Sequence, residues 1–183
     1  MSRIYKFYNP QGLYFVSFAT INWIDIFTRP LYKDILVENL NYCIKNKGLI
    51  IYAWVIMTNH VHLIIRTRKE PLQDIMRDFK GYTSKKILKM IKENPHESRK
   101  EWMLSLFSNA GQKNPNNKSF QLWRQDNKPM ELEAKSFDVD HTIEYIHNNP
   151  VKMGFVIKPE DYLYSSAVDY AGGKGFVYIE MAG

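Results

Sequence analysis

The tripeptide His60-Val61-His62 sits inside Trp54-Val-Ile-Met-Thr-Asn-His-Val-His-Leu-Ile-Ile-Arg66, a run of strand-forming residues. Side chains alternate along a strand, so His60 and His62 share one face while Val61, Leu63 and Ile65 take the other. Two imidazoles on one rigid face make half of a divalent-metal site. Far along the chain, His141-Thr-Ile-Glu-Tyr-Ile-His-Asn-Asn-Pro150 has a helical pattern that stacks His141, Tyr145 and Asn149 on one row. A tyrosine hydroxyl one turn from an amide oxygen places a nucleophile beside a metal ligand. Each part also has a plainer meaning. His-x-His pairs occur in ordinary strands and in zinc hydrolases, Tyr145 fits an amphipathic wall, and Asn148-Asn149-Pro150 fits a helix stop.

The two halves can meet only if the fold brings that helix to the histidine face of the sheet. Leu13-Tyr-Phe-Val-Ser-Phe-Ala-Thr20 predicts a first strand, and Leu36, Leu40, Cys43 and Ile44 recur at helical spacing between Pro30 and Lys47, with Gly48 beyond the end. The apolar run Leu49 to Met57 suits a central strand buried on both faces. Thr58-Asn59 then turns the chain into the histidine strand, His60 to Arg66, as a tight hairpin. Pro71 opens a second long helix with Leu72, Ile75, Met76, Phe79, Tyr82 and Thr83 on its buried stripe. A short helix over 97–109, a polar loop over 110–119 and a strand from Phe120 to Trp123, prolonged by Pro129 to Leu132, follow. The last helix starts near Asp138, and Pro150 limits it. Strand, helix, strand, strand, helix, strand predicts an α+β fold, a ferredoxin-like antiparallel sheet (βαββαβ) with appended helices. One domain over 1–183 is expected, with a helical and loop insertion at about 94–119 and a C-terminal tail from about 151.

At 183 residues and 45% hydrophobic, the chain has material for one core and too little for two comfortable ones. Its 25 Lys and Arg against 19 Asp and Glu give a formal charge of +6, which favours a polyanionic partner. Arg77, Lys80, Lys85, Lys86, Lys89 and Lys92 line the outer face of the second long helix, as phosphate contacts or as plain solvated surface. Aromatic residues reach 14%, more than a minimal core requires, and such rings can stack on unpaired bases. The single cysteine, Cys43, excludes an intrachain disulfide. The run Leu49 to Met57 falls far short of the roughly 17–25 residues that cross a bilayer, and Met1 to Asn9 has no signal-peptide apolar core. A cytoplasmic protein without membrane contact is expected.

Three segments in order, Ala53-Trp-Val-Ile-Met-Thr-Asn-His-Val-His-Leu-Ile-Ile, Glu144-Tyr-Ile-His-Asn-Asn-Pro-Val-Lys-Met-Gly-Phe-Val and Pro159-Glu-Asp-Tyr-Leu-Tyr-Ser-Ser-Ala167, resemble the REP-associated tyrosine transposases. These belong with the IS200-like, single-tyrosine HUH transposases, HUH standing for His-hydrophobic-His. The resemblance runs from Leu13 to Tyr170. It implies that His60, His62 and Asn149 hold Mg²⁺ or Mn²⁺ and that Tyr145 is the nucleophile. It further implies cleavage and rejoining of single-stranded DNA near palindromic hairpins, through a 5′-phosphotyrosine link and a free 3′-hydroxyl. A tyrosine hydroxyl, ordinarily near pKa 10, needs a proton acceptor, and His141 shares its helix face. Arg77, Lys80, Lys85, Lys86, Lys89 and Arg124 are the candidate DNA contacts. Relatives keep the tyrosine helix in the same chain or exchange it between subunits, so a homodimer is an open partner state. Trp123-Arg-Gln-Asp126 departs from the Trp-Gln-Arg-Gly type of sequence that relatives carry there. Two other functions compete: a domesticated protein that grips hairpins without cutting, and a zinc hydrolase, for which no third His, Cys, Asp or Glu stands at a recognisable ligand spacing.

Overall fold

Alternation along the first strand, β1 (Leu13–Ala19), decides the layering. Tyr14, Val16 and Phe18 are buried on one face, and Leu13, Phe15 and Ser17 are half-buried on the other. The computed structural model describes residues 7–115, 119–125, 129–132 and 137–181. Helix α1 (Pro30–Lys47) leads through Gly48 into β2 (Leu49–Ile56), and a tight turn leads into β3 (His60–Thr67). Gly48 has φ +76°, a left-handed conformation that only glycine adopts without strain, and it lets the chain leave the helix directly into the strand. Helices α2 (Leu72–Glu93) and α3 (Lys100–Gln112), strand β4 (Met130–Leu132), helix α4 (Phe137–Lys152) and the short helix α5 (Ala167–Tyr170) complete the order.

The four strands pair antiparallel in the order β2-β3-β1-β4, the ferredoxin-like arrangement expected from the element order. One face of the sheet is covered by α1 and α2. Leu36, Leu40, Ile75 and Phe79 meet Phe18, Ile51, Trp54 and Leu63 there. On the opposite face, Val139, Ile143 and Ile146 of α4 pack on Ala53, Val55, Met57 and Ile64.

Two expectations are corrected. Phe120 to Trp123 is no strand: only the bridge between Trp123 and Thr20 forms, and β4 proper is the three-residue Met130–Leu132. At that single bridge the Trp123 ring turns inward to stack on Phe27 at 5.6 Å while its Nε1–H donates to Thr83 Oγ1 at 3.2 Å. Pro150 also does not end α4, which runs on to Lys152. So near the C-terminus, proline removes a single N–H donor, and Met153 N still donates to Asn149 O at 3.1 Å.

The inserted segment is anchored. The Glu97 carboxylate, its side chain fully buried, meets Arg29 Nε and the Tyr32 hydroxyl, each at 3.0 Å. At Gly111 a Cβ would lie 2.6 Å from Phe120 N, so α3 comes backbone to backbone against the chain that follows it. Of the expected polar loop, residues 116–118 lie outside the described residues. The C-terminal tail folds back along the free edge of β2: Ile56 N donates to Tyr164 O at 2.9 Å, Ser166 N to Trp54 O at 3.0 Å and Glu180 N to Ile51 O at 2.9 Å. That edge is thereby capped. Among the described residues no helix is long and apolar enough to cross a membrane.

Candidate tyrosine–histidine site

β3 places His60 and His62 on the face that α4 covers, opposite the α1–α2 layer. Their rings stand 4.7 Å apart, centroid to centroid, and His62 lies beside Ser17 and Val55 in the strand registers. Phe15 stacks on His62 at 5.4 Å. α4 turns its apolar stripe to the sheet, which leaves the row of His141, Tyr145 and Asn149 along the rim of the histidine face. The Tyr145 ring comes within 5.4 Å of His62 and 6.2 Å of Phe15, yet the residue remains 42% exposed. Asn149, one turn further on, hydrogen-bonds the His60 ring. His141 lies on the exposed end of the row. The histidines, the tyrosine and the asparagine thus gather in one chain, and Lys152 adds a cation 5.6 Å from the Tyr145 ring.

Burial sets the electrostatics. His62 is 5% exposed and its pKa is pushed down to about 3, first by loss of solvent and then by the neighbouring His60. His60 is lowered by the same desolvation, against which its hydrogen bond with Asn149 works. Both rings are therefore neutral at physiological pH, the form in which imidazole offers a lone pair.

Several supporting residues escaped the sequence reasoning because their roles are purely tertiary. Asn59 Oδ1 lies 2.7 Å from His60 Nδ1, and its Nδ2–H donates to Trp23 O at 3.1 Å, so one side chain ties the histidine to the preceding loop. On the far side of α4, His147 Nε2 lies 2.8 Å from Ser166 Oγ, and that oxygen accepts from Trp54 N at 2.9 Å. Ser166 joins α4 to β2 and so fixes where Tyr145 stands. The Tyr162 hydroxyl donates to Ile56 O at 3.0 Å and accepts from the buried Lys33 Nζ at 3.1 Å, a second tie between the tail and the sheet.

The candidate metal ligands fit a divalent ion on one specific ground. Both ring nitrogens of His62 are buried and meet no hydrogen-bond partner among the described residues, so one buried lone pair has nothing there to accept from. Asn59 holds His60 Nδ1, so Nε2 is the nitrogen that would coordinate an ion, exchanging the ring's hydrogen bond with Asn149 for shared coordination, as an outer hydrogen bond to a metal-binding histidine allows. Among the described residues no group of three or more His, Cys, Asp or Glu gathers, so the candidate donors here are two imidazoles and the Asn149 amide.

The candidate DNA contacts divide. Arg124 stands at the rim of the site, its guanidinium 5.1 Å from the Trp23 ring. The α2 cations lie beyond the opposite face of the sheet. Arg77 is engaged by Asp74 at 2.6 Å and Asp78 at 3.0 Å, Lys80 covers the Phe18 ring at 4.7 Å, Lys89 reaches Glu93 at 3.8 Å, and Lys85 and Lys86 are exposed.

The chain is thus an α+β protein with a ferredoxin-like sheet, a His-hydrophobic-His strand, and a helix that sets Tyr145 beside His62. The IS200-like transposase family model matches residues 13–121, and the chain belongs to that family. The match includes both histidines and ends before α4, so Tyr145 and Asn149 enter through the structure. Among solved structures, a REP-associated tyrosine transposase bound to a REP hairpin is similar in fold over the whole chain. The TM-score is 0.65 at 18% identity, covering 100% of this chain and 94% of that one. A provisionally assigned transposase from Deinococcus radiodurans R1 shows a TM-score of 0.46 at 17% identity, covering 81% of this chain and 97% of that one. No curated protein matches the chain.

Proposed function

We propose that the protein nicks and rejoins single-stranded DNA beside hairpin sequences, with Tyr145 as nucleophile. The observation that carries this is the convergence, within one chain, of a half-exposed tyrosine on two neutral histidines, the half-buried His60 and the buried His62, whose ring nitrogens meet no hydrogen-bond partner among the described residues. His60, His62 and Asn149 would hold Mg²⁺ or Mn²⁺, which when bound polarises a phosphate and helps align it. Neutral ligands leave the ion's charge for the substrate instead of cancelling it with carboxylates.

The tyrosine oxygen attacks phosphorus, the bond from phosphorus to the 3′ oxygen breaks, and the departing 3′ oxygen takes a proton to become a hydroxyl. The chain's 5′ phosphate stays on Tyr145, and attack by a second 3′-hydroxyl reverses the step with little loss of bond energy. His141, one turn earlier on the exposed side of the row, is the candidate to take the phenolic proton. Lys152 beside the Tyr145 ring supplies positive charge where anionic backbone must approach. Phe15 and the apolar stripe of α4 hold the histidine ring and the helix so that attack geometry is set before DNA arrives. Arg124 offers a phosphate contact at the rim, and Lys80, Lys85, Lys86 and Lys89 offer a second one for a duplex stem that passes round the sheet. The hairpin preference is taken from the fold neighbour bound to a REP hairpin.

Purified protein incubated with Mn²⁺ and a labelled oligonucleotide carrying a hairpin and a single-stranded flank should yield a covalent adduct that survives denaturing electrophoresis. Tyr145→Phe should yield none. An adduct of equal yield in both assigns the attack to a residue other than Tyr145, and an adduct in neither leaves a hairpin-binding protein.

A further inference from the structure

Next to His60 the chain does something costly that no core packing explains. Asn22 and Trp23 both adopt left-handed backbone conformations, φ 52° and 54°, where bulky L-residues are rare. The turn is over-determined: Trp23 N donates to Thr20 O at 3.1 Å, Thr20 Oγ1 to Ile24 O at 2.7 Å and Asn59 Nδ2 to Trp23 O at 3.1 Å. That scaffolding does not bury the indole. Trp23 stays 53% exposed, with its ring edge-on to His60 at 6.1 Å. The Arg124 guanidinium lies 5.1 Å from the same ring. The outcome is a flat, apolar plate with a cation over one of its faces, on the histidine side of the sheet.

We propose that Trp23 is a stacking platform for one nucleobase of single-stranded DNA, the base adjoining the phosphate brought to His60 and His62, with Arg124 on the neighbouring backbone phosphate. This rests on the proposed function only in requiring that an unpaired strand cross the histidine face. A nucleobase fits because it presents a π-face to the indole while its backbone presents an anion to Arg124, and stacking of this kind tolerates any base. Through Asn59, which holds both the Trp23 carbonyl and the His60 ring, a strand seated on the plate is in register with the histidines.

The test uses the Tyr145→Phe protein with Mn²⁺, so that binding is read without turnover, and an oligothymidylate of about twenty nucleotides as probe. Tryptophan fluorescence should be quenched on binding, and Trp23→Phe should lose that quenching while keeping most of the affinity. Trp23→Leu, apolar but not aromatic, should bind about tenfold more weakly with a similar melting temperature. Affinity of Trp23→Leu within about twofold of its parent overturns the platform, as does unaltered quenching in Trp23→Phe or no binding of oligothymidylate by the parent. Should Trp23→Leu not fold, the quenching comparison with Trp23→Phe decides alone. The covalent adduct of the Tyr145 protein on a hairpin oligonucleotide is scored separately. An adduct without a Trp23 effect removes the platform and leaves the nuclease; Trp23-dependent binding without an adduct does the reverse.

Discussion

The Tyr145 ring stands 5.4 Å from the His62 ring of the same chain, across the face of the sheet that α1 and α2 leave free. Neither residue fixes that distance. It follows from Val139, Ile143 and Ile146 docking on β2 and β3, and from Ser166, which bonds both Trp54 on β2 and His147 on α4. The tail beyond α4 is thus part of the device that aims the tyrosine, because it clamps the helix to the strand next to the histidines.

His62 should report metal directly. A ligand that binds only the folded chain raises its stability, by about 2.7 kcal/mol at a hundred times the dissociation constant, which for a chain of this size is about 5–10 °C in melting temperature. Mn²⁺ should produce such a shift in the wild type and none in His62→Ala, measured by thermal unfolding with chelator as control. An equal shift in both proteins would place the ion elsewhere.

Asn59 should act through His60. With its Oδ1 at 2.7 Å from Nδ1 it accepts from that nitrogen and leaves Nε2 as the one that would meet an ion. Asn59→Ala should weaken Mn²⁺ binding about 10- to 100-fold, the usual cost of losing an outer hydrogen bond to a ligand histidine. Asn59→Asp keeps the acceptor and loses the donor to Trp23, so it should hold most of the Mn²⁺ affinity. Calorimetric Mn²⁺ titration of the two variants separates the roles.

Much of this architecture could be read from residue order. Pro30 and Gly48 punctuate α1, and the long apolar run before Thr58-Asn59 marks a hairpin, so the strand carrying the histidines and its pairing partner were legible. Helical spacing also put His141, Tyr145 and Asn149 on one row. What sequence could not reveal depends on contacts between distant segments. Trp123 makes only a single bridge, to Thr20, while its indole packs on Phe27 and bonds Thr83, and neither of those two is near it in sequence. Asn59 reads as a turn residue and Ser166 as a tail residue until the fold sets them against His60 and His147. The strained turn at Asn22 and Trp23 carries no glycine or proline signal at all.

Stability should fall as the solution is acidified, through His147. Burial lowers its pKa to about 4, against an ordinary value of 6.5. Above pH 6.5 neither state binds the proton and the full stability is present. Between 6.5 and 4 the unfolded chain takes a proton that the folded chain refuses, so unfolding becomes easier as pH falls, by on the order of 3 kcal/mol in all. His62 works in the same direction. His147→Gln, which can keep a bond to Ser166 without titrating, should lose about 2–3 kcal/mol less than wild type between pH 7 and 4.5 in urea melts without metal. Parallel curves for the two proteins would contradict the assignment.

The α2 lysines should affect grip without affecting chemistry. Lys85, Lys86 and Lys89 project from a helix on the opposite side of the sheet from Tyr145, with Lys89 close to Glu93. A contact there can reach only DNA that passes round the domain, and it cannot touch the scissile phosphate. Replacing all three with alanine should weaken hairpin binding and flatten its salt dependence by up to about 0.9 log unit for each phosphate that is no longer neutralised. The rate of adduct formation at saturating DNA should stay within about twofold of wild type, since the group that reacts is unmoved. Arg124→Ala, at the rim of the site, should lower that rate and weaken short single strands that never reach α2. Should the triple variant slow the saturated rate as much as Arg124→Ala does, the two faces of the sheet are not separate in function and the lysine helix belongs to the reacting centre.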